Sequence, residues 1–187
     1  AKTFVYQGYN NSCCLVEADE EPPHEVNKKA LNTAFEIALM AKAEIYQELI
    51  PMRKIVIDGS NTSGFQRTAL VARNGAITVT GERIGIGTVC VEEESAKIVE
   101  RKPDCDSYNL SRLGIPLVEI ATEADMKTPE QVKGVAEYLG MILRSTGKVK
   151  RGLGTIRQDV NVSIREGVRV EIKGAQDLRL VRGSPRA

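Results

Sequence analysis

The sequence is poor in aromatic residues and in histidine. Among 187 residues there are three Phe, five Tyr, no Trp and a single histidine, His24. Because single-stranded RNA bases commonly stack on aromatic rings, stacking is not expected to be the main mode of any RNA contact. His24 follows two prolines and is expected to be structural. With no second histidine, neither a Ser/His/Asp set nor a zinc hydrolase site can be argued.

Long apolar runs, a signal peptide and C-x-x-C motifs are also missing. Without a run of about 18 apolar residues the sequence predicts no membrane helix, and we expect a soluble protein. The four cysteines, at positions 13, 14, 90 and 105, are best explained as reduced thiols in a cytoplasm. A net charge of +1 neither favours nor excludes nucleic acid as a partner.

The residues that are present suit one folded domain, because 42% of them are hydrophobic. Apolar spacing predicts one helix over about 25–49 and a second over 129–145, with Thr128 as its N-cap and Gln131 as capping-box partner. Residues 1–18 are expected to be an irregular or extended lead-in. Strands are predicted at 53–58, 76–80 and 115–120, with glycines at 81, 85 and 87 separating further short strands. This mixture predicts an α+β fold with antiparallel strands.

The most regular pattern lies between residues 152 and 178, where apolar and polar residues alternate. It predicts two strands, 156–164 and 168–173, joined by a hairpin turn at Gly167. The expected register places Asn161 opposite Glu171 and Asp159 opposite Lys173. The apolar face of this hairpin is expected to pack on a core.

The polar face of the hairpin has two interpretations. Antiparallel sheets commonly leave one polar side in water. However, Asp, Asn and Gln are depleted from strands, whereas Gln158, Asp159 and Asn161 occur close together here. With Glu171 and Lys173 opposite, this set could hold a metal ion and a phosphate.

Acidic residues in two other places also have alternative roles. Glu119 lies within the apolar run IPLVEI, where a carboxylate is costly unless it is paired, metal-bound or turned to solvent. Glu92 and Glu93 belong to an acidic triplet after a predicted strand, and composition alone favours a solvated turn. From the residues alone, Glu119 has paired, metal-bound and solvated alternatives, and Glu92 and Glu93 are expected to be solvated.

A basic segment precedes the hairpin. Lys148, Lys150 and Arg151 lie between residues 144 and 157, with three glycines and no acidic residue among them. The segment is either an ordinary solvated connection or a contact for the phosphates of ATP or tRNA. Glycine-rich backbone with Lys and Arg favours the phosphate contact slightly.

Several motifs in a fixed order carry a family resemblance. They are DEEPPH at 19–24, RKIVIDGSNTSGFQRTALVA at 53–72, RLGIPLVEIATEAD at 112–125 and GKVKRGLGTIRQDVNVSI at 147–164. This ordered set resembles the large, tRNA-binding B/E subunit family of tRNA-dependent amidotransferases, most closely its archaeal members. The resemblance implies a glutamine-synthetase-like catalytic domain, an antiparallel sheet cradle backed by helices. It covers one partial domain over 1–181, followed by a tail at 182–187 that does not match.

The resemblance also implies an activity and its partners. It implies a carbon–nitrogen ligase with glutamine as amido donor, which uses ATP to amidate glutamate mischarged on tRNA(Gln). Mg²⁺ would be held by Glu92 or Glu93, by Glu119 and by Asp159. From their positions on the predicted hairpin, rather than from the resemblance, Arg157 and Lys173 are expected to contact phosphate or the substrate carboxylate. The implied partners are tRNA(Gln) charged with glutamate and an asparaginase-like subunit that produces ammonia, in a hetero-oligomer.

A different class of function is a non-catalytic module that binds tRNA or a partner protein. The position of the predicted acids distinguishes the enzyme from the binding module. Acids that converge on one pocket favour the enzyme, since a pocket of carboxylates would repel RNA phosphate. The family's N-terminal Gly-Leu-Glu-x-His-like motif and its helical and tail domains are not found in this chain. We therefore expect a fragment in which a metal site built from these residues alone lacks ligands.

Overall fold

The computed structural model describes residues 2–175, and in this range it confirms an α+β fold with two α-helices and three sheets. The elements are β1 (Thr3–Gln7), α1 (Lys28–Met40), β2 (Glu44–Ile45), β3 (Pro51–Ile55), β4 (Phe65–Val79), β5 (Glu82–Glu93), β6 (Lys97–Arg101), β7 (Cys105–Asn109), a 3-10 helix (Leu110–Arg112), β8 (Pro116–Thr122), α2 (Pro129–Ser145), β9 (Val160–Val162) and β10 (Val170–Ile172). The predicted tail at 182–187 lies outside the described residues. No helix in the described range is long and apolar enough to cross a bilayer.

The largest sheet has the strand order β2-β4-β5-β8, and β3 pairs with β4 on the same side as β2. Its centre is the long hairpin of β4 and β5, which turns at Thr80 and Gly81, both at positive φ. The strand predicted at 76–80 is confirmed for residues 76–79, but it is the end of a 15-residue strand. The prediction of short strands separated at Gly85 and Gly87 was wrong, because both glycines lie inside one 12-residue strand. Glycine allows a turn but does not require one, and cross-strand pairing on both sides of β5 continues the strand through both glycines.

Gly87 is the site of an irregularity in the sheet. The pairing of β5 with β8 shifts by one residue between Ile86 and Thr88. On one side of this β-bulge Ile86 is buried, and on the other side Val89 is buried, so the buried positions change from even to odd numbers. The side chains of Glu92 and Glu93 are oriented by the alternation that follows the bulge.

The main core lies between the large sheet and the two helices. Its fully buried side chains include Ile37 of α1, Val71 of β4 and Val89 of β5. Val118 and Ile120 of β8 pack against the same cluster. Both helices therefore cover one face of the large sheet, and no helix within residues 2–175 covers its other face.

The first helix is shorter than predicted, and the range 25–49 was wrong at both ends. It begins after Asn27, whose side chain accepts a hydrogen bond from the Ala30 N–H at 3.0 Å. It ends where Lys42 adopts a φ of +51° and the Ala43 N–H donates to the Ala38 carbonyl. The chain then turns into β2, where pairing with β4 outweighs the helical spacing of the residues up to 49.

The second helix begins and ends as predicted. The Gln131 N–H donates to Thr128 Oγ1 at 3.2 Å, and Gln131 Oε1 accepts from the Thr128 N–H at 3.0 Å, which completes a capping box. Pro129 occupies the first helical position. This local signal is strong because every group in it lies within four residues.

A second, smaller sheet has the order β1-β7-β6, and its strand β1 lies in the lead-in that was predicted to be irregular or extended. β1 pairs in parallel with β7, a contact across about a hundred residues that local sequence does not show. Tyr6 and Tyr108 donate hydrogen bonds from their hydroxyls to the carbonyls of Gly59 and Asp58. These bonds dock the small sheet on the loop that follows β3.

The hairpin of β9 and β10 has the predicted register, with Asn161 opposite Glu171. The prediction that its apolar face packs on a core was wrong, because Val162 is 45% exposed, Val168 is 84% exposed and Val170 is 56% exposed. Each strand has only three residues, so the hairpin offers little area for burial. The four cysteines are unpaired thiols, as expected.

Candidate functional site

The face of the large sheet that the helices leave free carries two carboxylates. Glu92 of β5 lies opposite Thr68 of β4, and Glu119 of β8 lies opposite Cys90 of β5. We call this surface, formed by Gln66, Thr68, Cys90, Glu92 and Glu119, the open face. Glu92 and Cys90 are two residues apart on one strand, so Glu92 and Glu119 are diagonal neighbours on adjacent strands.

Glu92 is half-buried and is held by a neighbouring amide. Gln66, itself buried, donates from Nε2 to Glu92 Oε1 at 2.9 Å and to the Glu93 carbonyl at 2.7 Å. Burial raises the pKa of Glu92, Lys54 opposes this rise, and the charge of Glu119 adds to it. The carboxylate is thus fixed in orientation but incompletely neutralised by protein groups.

Cys90 lies between Glu92 and Glu119 and is affected by the charges of both. Burial raises the pKa of its thiol, and the charges of Glu119 and Glu92 raise it further. Like charges on adjacent strands disfavour one another. A cation on the open face would relieve this repulsion, and a thiol kept protonated would be a weak ligand beside the two carboxylates.

Glu93 faces the other way. Its carboxylate pairs with Arg67, which donates from Nε to Oε2 at 3.0 Å and from a terminal nitrogen to Oε1. Arg67 also donates to the His24 carbonyl at 2.6 Å. Glu93 lines a cleft of about 280 Å³, together with Arg67, Glu94 and residues between positions 14 and 27.

The structure brings together only part of the predicted metal site. Glu92 and Glu119 are neighbours, whereas Glu93 lies on the opposite side of the sheet. Asp159 is an exposed hairpin residue whose Oδ1 accepts from the Gly174 N–H at 3.1 Å. Among the described residues no group of three or more His, Cys, Asp and Glu side chains is arranged to hold a metal ion.

The polar face of the hairpin is exposed, and its charges are partly paired with one another. Lys173 Nζ lies 3.4 Å from Glu171 Oε2. Asn161 is directly opposite Glu171. The predicted phosphate contacts Arg157 and Lys173 therefore both have carboxylate partners, Arg157 through Glu94 and Lys173 through Glu171.

Glu94 is the acid that connects the hairpin segment to the sheet. Its Oε1 accepts from Arg112 at 2.7 Å and its Oε2 accepts from Arg157 at 2.8 Å. Its side chain is 13% exposed, against 41% for each arginine. A carboxylate with one arginine on each oxygen is strongly fixed, because charge-assisted bonds are stronger than neutral ones.

With this geometry in place, comparison with known proteins gives the family. A model described as the GatB/GatE catalytic domain matches residues 4–184. The chain belongs to this family. It is 60% identical over 181 residues to the E-type subunit of glutamyl-tRNA(Gln) amidotransferase from Archaeoglobus fulgidus, covering 97% of this chain and 29% of that protein. It is 56% identical over 180 residues to the protein of the same name from Methanocaldococcus jannaschii, covering 96% of this chain and 29% of that protein. The chain thus spans less than a third of the length of these relatives.

In this GatB/GatE chain the basic segment remains open to solvent. Lys150 and Arg151 are exposed between α2 and β9, while Lys148 pairs with Glu36 of α1. Gly152 and Gly154 both have positive φ, a backbone conformation that other residues rarely adopt. Lys150 and Arg151 are therefore presented on the surface and accessible to an anionic group.

Two residues of the site were missed by sequence reasoning. Gln66 gave no signal in the sequence, because it is a single amide near the start of β4. Glu94 is the third acid of a triplet, and its two arginine partners come from residues 18 and 63 positions away. Contacts over such separations are set by the fold, so only the structure distinguishes Glu94 from a solvated acid.

Proposed function

We propose that this chain forms part of the ATP-dependent site of an amidotransferase that converts glutamate on tRNA(Gln) into glutamine. The observation that carries the proposal is the neighbouring pair Glu92 and Glu119, placed on one open face of the sheet. The names of relatives 56–60% identical to the chain supply the substrate. We further propose that the large sheet, with both helices on one face, is a cradle of the glutamine-synthetase type.

The chemistry requires activation of a carboxylate. An oxygen of the substrate γ-carboxylate attacks the γ-phosphorus of ATP, ADP leaves, and an acyl phosphate forms. Ammonia then attacks the acyl carbon, inorganic phosphate leaves, and loss of a proton gives the amide. Phosphoryl transfer depends mainly on positioning and charge neutralisation, which fixed side chains on a rigid sheet can provide.

The donor set of the open face fits Mg²⁺. Glu92 and Glu119 offer the oxygen ligands that Mg²⁺ prefers, and this ion usually binds through one or two carboxylates, with waters and substrate phosphates completing its shell. Asp159, carried by the hairpin, is our candidate for a further acidic contact. When bound, Mg²⁺ would neutralise charge on the transferring phosphoryl group.

Basic and polar residues are proposed to contact the anionic substrates. Exposed Lys150 and Arg151 would bind phosphates of ATP or of the tRNA backbone. Arg157 and Lys173 would contact the transferring phosphate or the γ-carboxylate, with Asn161 and Glu171 beside them on the hairpin. Glutamine would be the amido donor, and ammonia would come from an asparaginase-like partner protein in a hetero-oligomer.

The test uses the full-length polypeptide in which this chain occurs. It would be supplied with glutamyl-tRNA(Gln), Mg-ATP and ammonium, and glutaminyl-tRNA would be measured. Glu92→Gln should lower kcat/KM at least about 100-fold, because it removes one of two neighbouring carboxylates while keeping the bond to Gln66 possible. Glu100→Gln, an exposed acid on β6, should leave activity unchanged.

Each contrary result has a definite meaning. If the folded wild-type polypeptide forms no product, the chain acts in binding rather than in catalysis. If wild type is active and Glu92→Gln retains full activity, the open face is not the site of the reaction. Asp159→Ala, assayed in parallel, tests whether the hairpin acid belongs to the same site.

A further inference from the structure

We propose that Glu94 is a positioning residue, which holds Arg157 and with it the β9–β10 hairpin next to the open face. The inference rests on the proposed function, since it concerns how a phosphate-contacting arginine is placed. The decisive observation is that the Glu94 carboxylate accepts one arginine on each oxygen, at 2.7 Å from Arg112 and 2.8 Å from Arg157.

Glu94 itself is anchored on the sheet side. Its N–H donates to the Ile115 carbonyl at 2.9 Å and its carbonyl accepts from the Gly114 N–H at 2.8 Å. Arg112 lies at the end of the 3-10 helix whose Leu110 is buried in a second, smaller core with Ala96 and Tyr108. With its backbone and one oxygen fixed in this way, Glu94 presents its second oxygen in a defined direction.

Within the described range, hydrophobic packing contributes little to the position of the hairpin. Ile164 is 67% exposed and Ile172 is 42% exposed, in addition to the valines described above, and Val160 is half-buried. A charge-assisted bond from Arg157 to a carboxylate that is 13% exposed is screened less by solvent than a surface pair, so it can supply that orientation.

The location of Glu94 connects this pair to the acids of the open face. Glu94 follows Glu92 by two residues, and its charge contributes to the raised pKa of Glu92. Arg157 precedes Asp159 by two residues on the chain. Fixing Arg157 on Glu94 thus holds the start of the hairpin, including Asp159, at the end of β5 that carries Glu92.

A double-mutant cycle tests this positioning in the full-length polypeptide. Glu94→Gln, Arg157→Met and the double variant are compared by amide hydrogen exchange over 157–173 and by kcat and KM for ATP. Each single variant should speed hairpin exchange about tenfold, as expected for loss of a charge-assisted bond, and the double variant should show no further increase. Arg157→Lys, which keeps one donor for Glu94, should restore most of the protection.

The kinetic result should show the same coupling. Glu94→Gln should lower kcat for amide formation about as much as Arg157→Met does, and the two effects should not add. Glu100→Gln, which removes an equal charge from an exposed acid, should change neither exchange nor kcat. Arg157→Met removes an exposed side chain outside both cores, so it serves as the variant that folds if Glu94→Gln does not.

Additive effects, or hairpin exchange unchanged in Arg157→Met, would overturn the positioning role. Exchange does not depend on turnover. A wild-type protein that forms no product would therefore contradict the proposed function while exchange still tests the Glu94–Arg157 contact. An active protein with additive variants would contradict the positioning role alone.

Discussion

The negative charge of Glu92 is unfavourable for folding, but its position suits the binding of a cation. The residue is half-buried beside Glu119, so its ionised form is disfavoured, and the pKa of the carboxyl is raised mainly by burial. Gln66 fixes its orientation by donating a hydrogen bond at 2.9 Å. An ionisable group whose charge the fold leaves uncompensated, beside an accessible surface, is a common sign of a functional position. A bound ligand of opposite charge can neutralise it.

We predict that Glu92→Gln stabilises the fold although it lowers activity. A carboxyl whose pKa is raised in the folded state binds its proton more tightly there, so the free energy of unfolding falls as pH rises through the window between the ordinary and the raised pKa. Glutamine does not ionise, so the variant escapes this loss. Urea unfolding should show a more stable variant at pH 7.5 and a smaller difference at pH 3.5.

The matched control for this stability effect is Glu166→Gln, an exposed acid in the hairpin turn. It should unfold like wild type at both pH values. A Glu92→Gln variant less stable than wild type at pH 7.5 would contradict the prediction. It would show that Gln66 and Lys54 together compensate the Glu92 charge.

At the scale of elements, local signals predicted local structure. The capping box of α2 involves residues 128–131 alone, and the hairpin register follows from strict alternation, so both were confirmed. The parallel pairing of β1 with β7 and the early end of α1 depend on contacts far along the chain. The open face was predicted in part. Glu92 and Glu119 were named, but their side of the sheet depends on a bulge that composition does not show.

The small sheet contacts the loop that follows β3 at Gly59. A Cβ at Gly59, which has a φ of +81°, would lie 2.5 Å from the Phe4 ring of β1. We predict that Gly59→Ala destabilises the protein by about 2 kcal/mol, through backbone strain and through displacement of Phe4. Thermal or urea unfolding measures the loss.

Gly64 provides the comparison for this prediction. Its φ of +74° is similar, but a Cβ there meets no atom within 4 Å. Gly64→Ala should therefore show the backbone cost alone, roughly 1 kcal/mol. Equal losses at the two positions would mean that Phe4 moves freely and that the small sheet is not held through this contact.

At the scale of the whole molecule, stability depends on the layer between the helices and the large sheet. Ile37 of α1 is fully buried there. We predict that Ile37→Ala costs about 2–5 kcal/mol, because it removes buried methylene groups and leaves a cavity. That is a large share of the roughly 5–15 kcal/mol typical of a folded domain, so the urea midpoint should fall markedly.

An exposed isoleucine offers the same chemical change without burial. Ile57 is 89% exposed, and Ile57→Ala should change stability by no more than about 0.5 kcal/mol. If both substitutions had similar small effects, the layer under α1 would not be the main source of stability. The open face would then have to be supported by other contacts.

The bulge at Gly87 determines which residues in the second half of β5 face the core and which face the open side of the sheet. Counting every second residue onward from the buried Ile84 and Ile86 would put Glu92 inside and Glu93 on the open face. The extra residue reverses that assignment, and burial of Val89 and Val91 maintains the new one. Loss of one residue between the bulge and the acids would thus exchange the faces on which Glu92 and Glu93 lie.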